Sequence, residues 1–213
     1  MLIQINQAYD SWSDQYDTNT NNTRDLEAVA IRTCLHNRSF SHILEMGCGT
    51  GKNTAWLLQK TEKLTAVDFS ELMMAKAKEK MTANHVTFVQ ADINQPWDFA
   101  QDRYDLIGFS LVLEHIEDLK KVFEKITRII SPNGLVYIGE LHPCRQYKGS
   151  QAKFETPEGT QLLTCFTHHI SDFITAADTH GFELVRLDEF FDDEAKSGLP
   201  RILTLLFRHK NAI

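Results

Sequence analysis

Three alternate glycines close an apolar run in Ile43-Leu44-Glu45-Met46-Gly47-Cys48-Gly49-Thr50-Gly51. Glycine at such a junction lets the chain turn sharply and lets a ligand approach main chain with no Cβ in the way. Two phosphate-binding readings fail on the flanking residues. A dinucleotide fingerprint, GxGxxG, needs glycine where Lys52 stands, and a P-loop needs glycine at Met46 and Ser or Thr at Asn53. A tight turn that holds no ligand stays open. Asp68 follows Gly51 by 17 residues and ends the second apolar run, where a carboxylate can take both hydroxyls of a ribose. Asp92 ends the third run, in Gln90-Ala91-Asp92-Ile93. Singly, each acid suits a helix N-cap or a turn. Beside a glycine loop without phosphate-binding features, the pair suits a ligand with a ribose, a base and a positive charge.

Other residues carry candidate chemistry. His115 follows the fourth apolar run, and histidine is the side chain best suited to exchange a proton at physiological pH, so it is a candidate general base; the start of a helix is the other reading of Glu114-His115-Ile116-Glu117-Asp118. Glu140 and His142 end the fifth run, with Arg145 and Tyr147 just beyond, and these four are candidates to face an acceptor. Arg145 with Lys148 could bind an anion such as a carboxylate, or form a solvated pair. Tyr9, Trp12, Tyr16 and Trp56 could cage a cationic acceptor or pack as a lid. His142-x-Cys144 and Cys165-x-x-His168 offer zinc-type ligands, but their spacing is unlike structural sites and no metal is expected. The run of Lys76, Lys78 and Lys80 reads as a solvated helix face.

The elements that must hold these groups follow from periodicity. Short, near-continuously apolar runs at 42–47, 63–69, 86–92, 104–112 and 135–141 read as buried parallel strands. Helical patterns lie at 25–35, 53–61, 71–82 and 117–130, the last with Leu119, Val122, Phe123, Ile126 and Ile129 on one stripe and a stop at Ser131-Pro132-Asn133-Gly134. Strands alternating with helices predict a doubly wound α/β sheet with every strand's C-terminal end on one rim. The segment 142–166 is polar. Beyond it a helix (168–180) precedes two strand-like runs, 182–191 and 201–210, whose short link predicts an antiparallel pair.

Composition narrows the field. The 213 residues fit one domain of 1–213, with an N-terminal lid of helices (1–40), a ligand-binding half (41–141) and a variable segment with a C-terminal tail (142–213). A net charge of −7 disfavours a basic nucleic-acid surface. No apolar run reaches a membrane-spanning length, the start MLIQINQAYD shows no secretory signal, and four scattered cysteines suggest a reducing, cytoplasmic setting.

Five segments in order resemble the class I S-adenosylmethionine-dependent methyltransferases: ILEMGCGTGKNT, VDFSELMMAKAKEK, FVQADIN, YDLIGFSLVLEHIED and ISPNGLVYIGELHP. The AYDSWSDQYD start and the DxSxxM step resemble the small-molecule branch typified by ubiquinone/menaquinone-biosynthesis and malonyl-carrier methyltransferases. The resemblance implies a Rossmann-like seven-stranded sheet of order 3-2-1-4-5-7-6 with strand 7 antiparallel, and S-adenosyl-L-methionine as cofactor. It implies that Gly47, Gly49 and Gly51 make room for the methionine moiety and that Asp68 holds the ribose hydroxyls. Phe69 and Met73 would flank the adenine, Asp92 would accept from its amino group, and the Ile93 main chain would fix the ring edge. Ser110 and Leu111 would hold the amino-acid end, with Tyr16 over the cofactor. Tyr9 and Trp12 join the acceptor-side candidates. The expected partner is a small-molecule acceptor, met by a monomer or homodimer, without nucleic acid or membrane. A protein- or carrier-bound acceptor, or a cofactor-binding regulatory domain without catalysis, are the competing readings.

Overall fold

Residues 5–156 and 159–210 are described by a computed structural model; residues 1–4 of the opening segment and Pro157 of the polar segment lie outside them. The five apolar runs become strands β1 (Phe40–Met46), β2 (Thr61–Asp68), β3 (Val86–Gln90), β4 (Tyr104–Ser110) and β5 (Ile130–Leu141). The polar segment contributes a separate hairpin, β6 (Lys153–Thr156) with β7 (Gly159–Leu162), and the tail gives β8 (Phe182–Phe190) and β9 (Ile202–His209). The main sheet has seven strands in the order β3-β2-β1-β4-β5-β9-β8. Leaving the hairpin out of the count, that is the expected 3-2-1-4-5-7-6. The seventh strand, β9, runs antiparallel to both its neighbours, while β1 to β5 pair in parallel.

Alternation of side chains along each strand builds two cores. On one face Ile43, Leu64, Leu106, Leu135, Tyr137 and Leu206 pack against Ile31 and Leu35 of helix α2 (Asn22–Leu35). On the other, Leu44, Met46, Ile107, Phe109, Val136, Ile138 and Phe207 meet the later helices. These faces are apolar on both sides because helical crossovers cover both. Between the strands lie α3 (Thr54–Leu57), α4 (Glu71–Lys80) and α5 (Leu119–Ile129), with α6 (Pro143–Gln146) and α7 (Ile170–Thr179) after β5. The stripe predicted for α5 is buried entire, and Asp118 caps that helix by accepting from the main-chain N–H groups of Lys120 and Lys121. Each such fully buried side chain contributes roughly 1.5–3 kcal/mol of transfer free energy. Ser70 caps α4 in the same way, accepting from Met73 N at 3.1 Å.

Several boundaries differ from expectation for local reasons. The pattern at 53–61 is only one α-turn followed by a 3-10 turn at Leu58–Lys60, because β2 already begins at Thr61. The stop signal at Ser131–Gly134 does not end in a loop. Ile130 pairs with Tyr104 and the ladder resumes at Leu135 with Leu106, so the turn is absorbed as an irregularity inside β5, with Asn133 at φ 61°. Ahead of the sheet, α1 (Ile5–Tyr16) crosses the C-terminal rim. Two of its acids, and Asp17 just past its end, fasten it to the rim. Asp10 accepts from Ser70 Oγ at 2.5 Å, Asp14 pairs with Lys76 at 3.0 Å, and Asp17 accepts from Thr50 Oγ1 at 2.6 Å while pairing with Lys80. Lys76 and Lys80 are therefore lid anchors rather than a purely solvated face. Among the described residues no helix is long and apolar enough to cross a membrane.

Candidate functional site

The C-terminal ends of β1, β2, β3 and β4 surround a cleft roofed by α1, at the point where the strand order reverses from β1 to β4. Open sheets of this kind take ligands at that point. The cleft, counted with its open mouth, holds about 840 Å3 of empty space. Gly47, Gly49, Asp68, Phe69, Met73, Asp92, Ile93, Ser110, Leu111, Tyr16, Tyr9 and His115 all stand on its wall. Gly51 does not. A Cβ there would lie 2.1 Å from Met81 Cε and 3.2 Å from Ala77 Cβ, at φ +83°, so this glycine serves the packing of the loop against α4. Gly49 is different: it has φ +53° and open space where a Cβ would stand.

Asp68 is the pivot of the cleft. Its Oδ2 accepts from the Gly49 N–H at 2.7 Å and its Oδ1 from the Ser70 N–H at 2.8 Å. A carboxylate has about four acceptor positions, so roughly two remain for a ligand. Burial raises the Asp68 pKa against these hydrogen bonds. Asp92 spends one oxygen on its own turn, accepting from the Asn94 N–H at 2.8 Å. Behind the glycine loop, Glu45 is buried with Thr54 Oγ1 donating to it at 2.6 Å, and burial pushes its pKa up to about 8. Ser110 turns its hydroxyl back to Glu27 Oε1 at 2.7 Å, leaving main chain to face the cleft. Glu27, on α2, also accepts from Asn53 Nδ2 at 2.7 Å and from Tyr137 Oη at 3.1 Å. Nothing in the local pattern around Glu27 marks that role; only the sheet brings its partners together.

His115 meets Tyr9 across the roof. Its Nδ1 lies 3.0 Å from the Thr164 carbonyl, which can only accept, so in the neutral ring Nδ1 carries the proton. Nε2 is then an acceptor, and Tyr9 Oη donates to it at 3.0 Å. Burial raises the Tyr9 pKa well above the ordinary tyrosine value, which keeps that hydroxyl a donor. Glu114 Oε1 stands 4.0 Å from Nε2, and Cys165 Sγ 3.9 Å from Nδ1. Among the described residues, Glu114, His115 and Cys165 form the group whose ligand-type atoms lie within 4.8 Å of one another. Both His115 ring nitrogens are already engaged, and burial pushes the Cys165 thiol up to about 12.

A second cavity adjoins the first, between α1, the N-terminus of α2 and the β6–β7 hairpin. Tyr9, Tyr16 and Leu111 line both, and Trp12 lines the second. Leu111 takes the left-handed conformation, φ 57°, a strain of the kind that clusters at functional sites. Tyr9, Trp12 and Tyr16 form the aromatic wall that the sequence suggested, with ring centroids 4.9–6.4 Å apart. Its cation is internal: the Arg24 guanidinium sits 4.0 Å over the Tyr16 ring and 5.9 Å from Trp12. Trp56 is elsewhere, beside Arg32 and Lys60.

The remaining acceptor-side candidates line neither cavity. Glu140 is 3% exposed and accepts from the N–H groups of Val112 (2.9 Å) and Leu113 (2.8 Å), which fixes the turn that carries His115. Burial pushes its pKa up to about 8. His142 caps α6 and bonds Glu189 Oε1 at 2.9 Å. Arg145 reaches Asp192 at 2.6 Å and the carbonyls of Leu199 and Pro200, while Tyr147 bonds His169 Nδ1 at 2.6 Å. These three tie α6 to its neighbours. His168 bonds the Ile116 carbonyl at 2.7 Å, so the four zinc-type residues are dispersed among separate tasks.

Residues 44–138 match the family model described as a methyltransferase domain. Over that span the chain is similar to a methyltransferase domain. The matched segment runs from β1 to β5 and contains the glycine loop, Asp68, Asp92 and His115. Over 110 residues the chain is 30% identical to the malonyl-[acyl-carrier protein] O-methyltransferase of Salmonella typhimurium, covering 51% of this chain and 42% of that one. Over 117 residues it is 36% identical to the demethylmenaquinone methyltransferase of Chlamydia caviae, covering half of each. The matches to these two relatives thus span half their length or less. The crystal structure of the N-methyltransferase NodS from Bradyrhizobium japonicum in complex with S-adenosyl-L-homocysteine superposes with a TM-score of 0.70 at 20% identity, covering 96% of this chain and 97% of that one. That likeness extends the fold of the methyltransferase domain to the lid and tail.

Proposed function

We propose that this chain is an S-adenosylmethionine-dependent methyltransferase that moves a methyl group in line to a small-molecule acceptor. The observation that carries the reading is the pair of cavities meeting at Tyr9, Tyr16 and Leu111: one suits a nucleoside, the other a second molecule. The Asp68 carboxylate keeps acceptor positions for a ribose diol, Asp92 stands beside Ile93 on the same wall where it could take an amino group, and Gly49 leaves room for the methionine chain that runs from the sulfur. Two carboxylates on the wall also favour a cationic ligand.

The cofactor, when bound, supplies an activated methyl on a positive sulfur. The chain's own part is positional: a roof that excludes water and a wall that aims the acceptor, effects worth on the order of 7–11 kcal/mol when alignment is good. Tyr9 and His115 add a route for a proton. A hydroxyl or amine acceptor seated in the second cavity would give its proton to Tyr9 Oη as Tyr9 gives its own to His115 Nε2. The resulting imidazolium would keep Nδ1–H on Thr164 and find Glu114 close by. Glu140 serves this indirectly by holding the turn under His115.

The test is direct. The chain is incubated with S-adenosylmethionine and a metabolite panel, and S-adenosylhomocysteine is followed. Turnover with a soluble acceptor is expected. Cofactor binding with no turnover on the panel or on cell-extract fractions would favour a regulatory domain, and turnover only on a protein fraction would favour a carrier-bound acceptor.

A further inference from the structure

The second cavity has an electrostatic character opposite to the molecule's. The chain carries a net charge of −7, yet Arg24, Lys148, Lys153 and Arg201 line this cavity and Glu114 is the acid among its lining residues. Arg201 is committed, with Nε and Nη2 on Asp192 and Nη1 3.2 Å from Thr23 Oγ1. Arg24 is not. It is 9% exposed, its two terminal nitrogens donate to the Tyr16 and Asn19 carbonyls, and its Nε finds no partner. Among the described residues no carboxylate forms an ion pair with it. A guanidinium this buried, with the Asp17 carboxylate acting on it only from beyond ion-pair distance, is costly, and a ligand carboxylate or phosphate oxygen is what would offset that cost. The two lysines stand on the exposed mouth, from the end of α6 to the start of β6, where they add attraction without further desolvation. The aromatic wall excludes water on the third side.

We infer that the second cavity is an oxyanion site, and that the acceptor carries a carboxylate or phosphate-type group on the side away from the atom that is methylated. The inference rests on the methyltransferase reading for the word acceptor; the oxyanion site itself stands on Arg24, Lys148 and Lys153. Seated on Arg24, such an anion anchors the molecule beside Tyr9, so that its reacting hydroxyl or amine is held at the boundary between the cavities. The same guanidinium could instead serve the carboxylate of the cofactor's amino-acid end, and the experiment separates these two sources.

Inorganic phosphate and malonate are titrated calorimetrically into the full chain at low ionic strength, with and without saturating S-adenosylhomocysteine. Saturable one-to-one binding is expected in both states. The double variant Lys148→Gln/Lys153→Gln, which alters only exposed side chains, should weaken it about tenfold while S-adenosylhomocysteine affinity stays within about threefold, as loss of charge-assisted contacts predicts. Arg24→Gln should abolish anion binding, and the lysine variant decides the matter if Arg24→Gln does not fold. Absence of saturable binding, or binding indifferent to all three substitutions, would overturn the proposal. So would an Arg24→Gln chain that binds phosphate normally but has lost S-adenosylhomocysteine, which would give Arg24 to the cofactor. Anion binding that persists in a chain unable to bind S-adenosylhomocysteine would overturn the methyltransferase reading and leave the oxyanion site in place.

Discussion

Replacing Asp68 by alanine isolates the nucleoside half of the proposed site. The carboxylate gives one oxygen to the Gly49 N–H at 2.7 Å and the other to the Ser70 N–H at 2.8 Å, and the acceptor positions left over would meet two ribose hydroxyls. Hydrogen bonds to a charged group contribute roughly 1.5–3 kcal/mol each. Taking the lower figure for both gives about 3 kcal/mol, or a loss of roughly 100-fold in affinity. The substitution also strands two N–H groups of the rim, so a plain loss of binding could come from a loosened glycine loop. Calorimetry with S-adenosylhomocysteine and its 2′-deoxy analogue separates the two causes. The native chain should penalise the missing hydroxyl by about tenfold, on the order of one charge-assisted bond. Asp68→Ala should bind both compounds equally poorly, because the partner of that hydroxyl is gone. An Asp68→Ala chain within threefold of native affinity, or one that still distinguishes the two compounds as the native chain does, would refute the ribose role.

Three further outcomes follow from the geometry. Gly51→Ala forces a side chain into φ +83° against Ala77 and Met81, away from the cleft; it should cost about 2 kcal/mol and lower Tm by roughly 4–8 °C in thermal unfolding, with little change in S-adenosylhomocysteine affinity at low temperature. Tyr9→Phe removes the donor to His115 Nε2, so kcat on a hydroxyl or amine acceptor should fall by about 100-fold with cofactor affinity unchanged; an unaltered rate would show that the relay is not used. Glu45 holds a proton in the folded chain up to about pH 8 that an unfolded chain releases near the ordinary carboxylate value. The folded state therefore binds more protons through that window, and this group's contribution to stability falls as pH rises across it. Glu45→Gln should gain Tm relative to the native chain from pH 5 to pH 8 and hold a constant difference above; a pH-independent difference would refute the buried-acid account.

The sheet was legible because buried parallel strands announce themselves as short apolar runs, and the α5 stripe fixed which face met the core. Asp68 and Asp92 were legible for a related reason: one ends β2 and the other lies two residues past the end of β3, so their place on the rim follows from topology alone. The acceptor side was harder. Glu140, His142 and Arg145 looked equivalent to rim residues by position, yet burial and the proximity of Glu189 and Asp192 direct them into tertiary contacts that no local pattern encodes. Arg24 was missed because its partners, the Tyr16 ring and a cavity wall, depend on how α1 folds over the sheet. The spacing of Asp10, Asp14 and Asp17 at helical intervals was the available sign of a tethered lid, and Lys76 and Lys80 at one-turn spacing were its complement.

The roof formed by α1 has a kinetic consequence. It covers the nucleoside cleft and, with the same tyrosines, walls the neighbouring cavity, so the second chamber has its shape only while the helix is seated. A molecule resting there against Tyr9 and Tyr16 braces the roof shut. On the proposed methyltransferase reading, entry and exit of a nucleoside would then require that chamber to be vacated first, which predicts a compulsory sequence: nucleoside in before acceptor, methylated product out before spent nucleoside. The partly exposed ion pairs of Lys76 with Asp14 and Lys80 with Asp17 help hold that roof, so on the same reading nucleoside release should quicken as ionic strength rises.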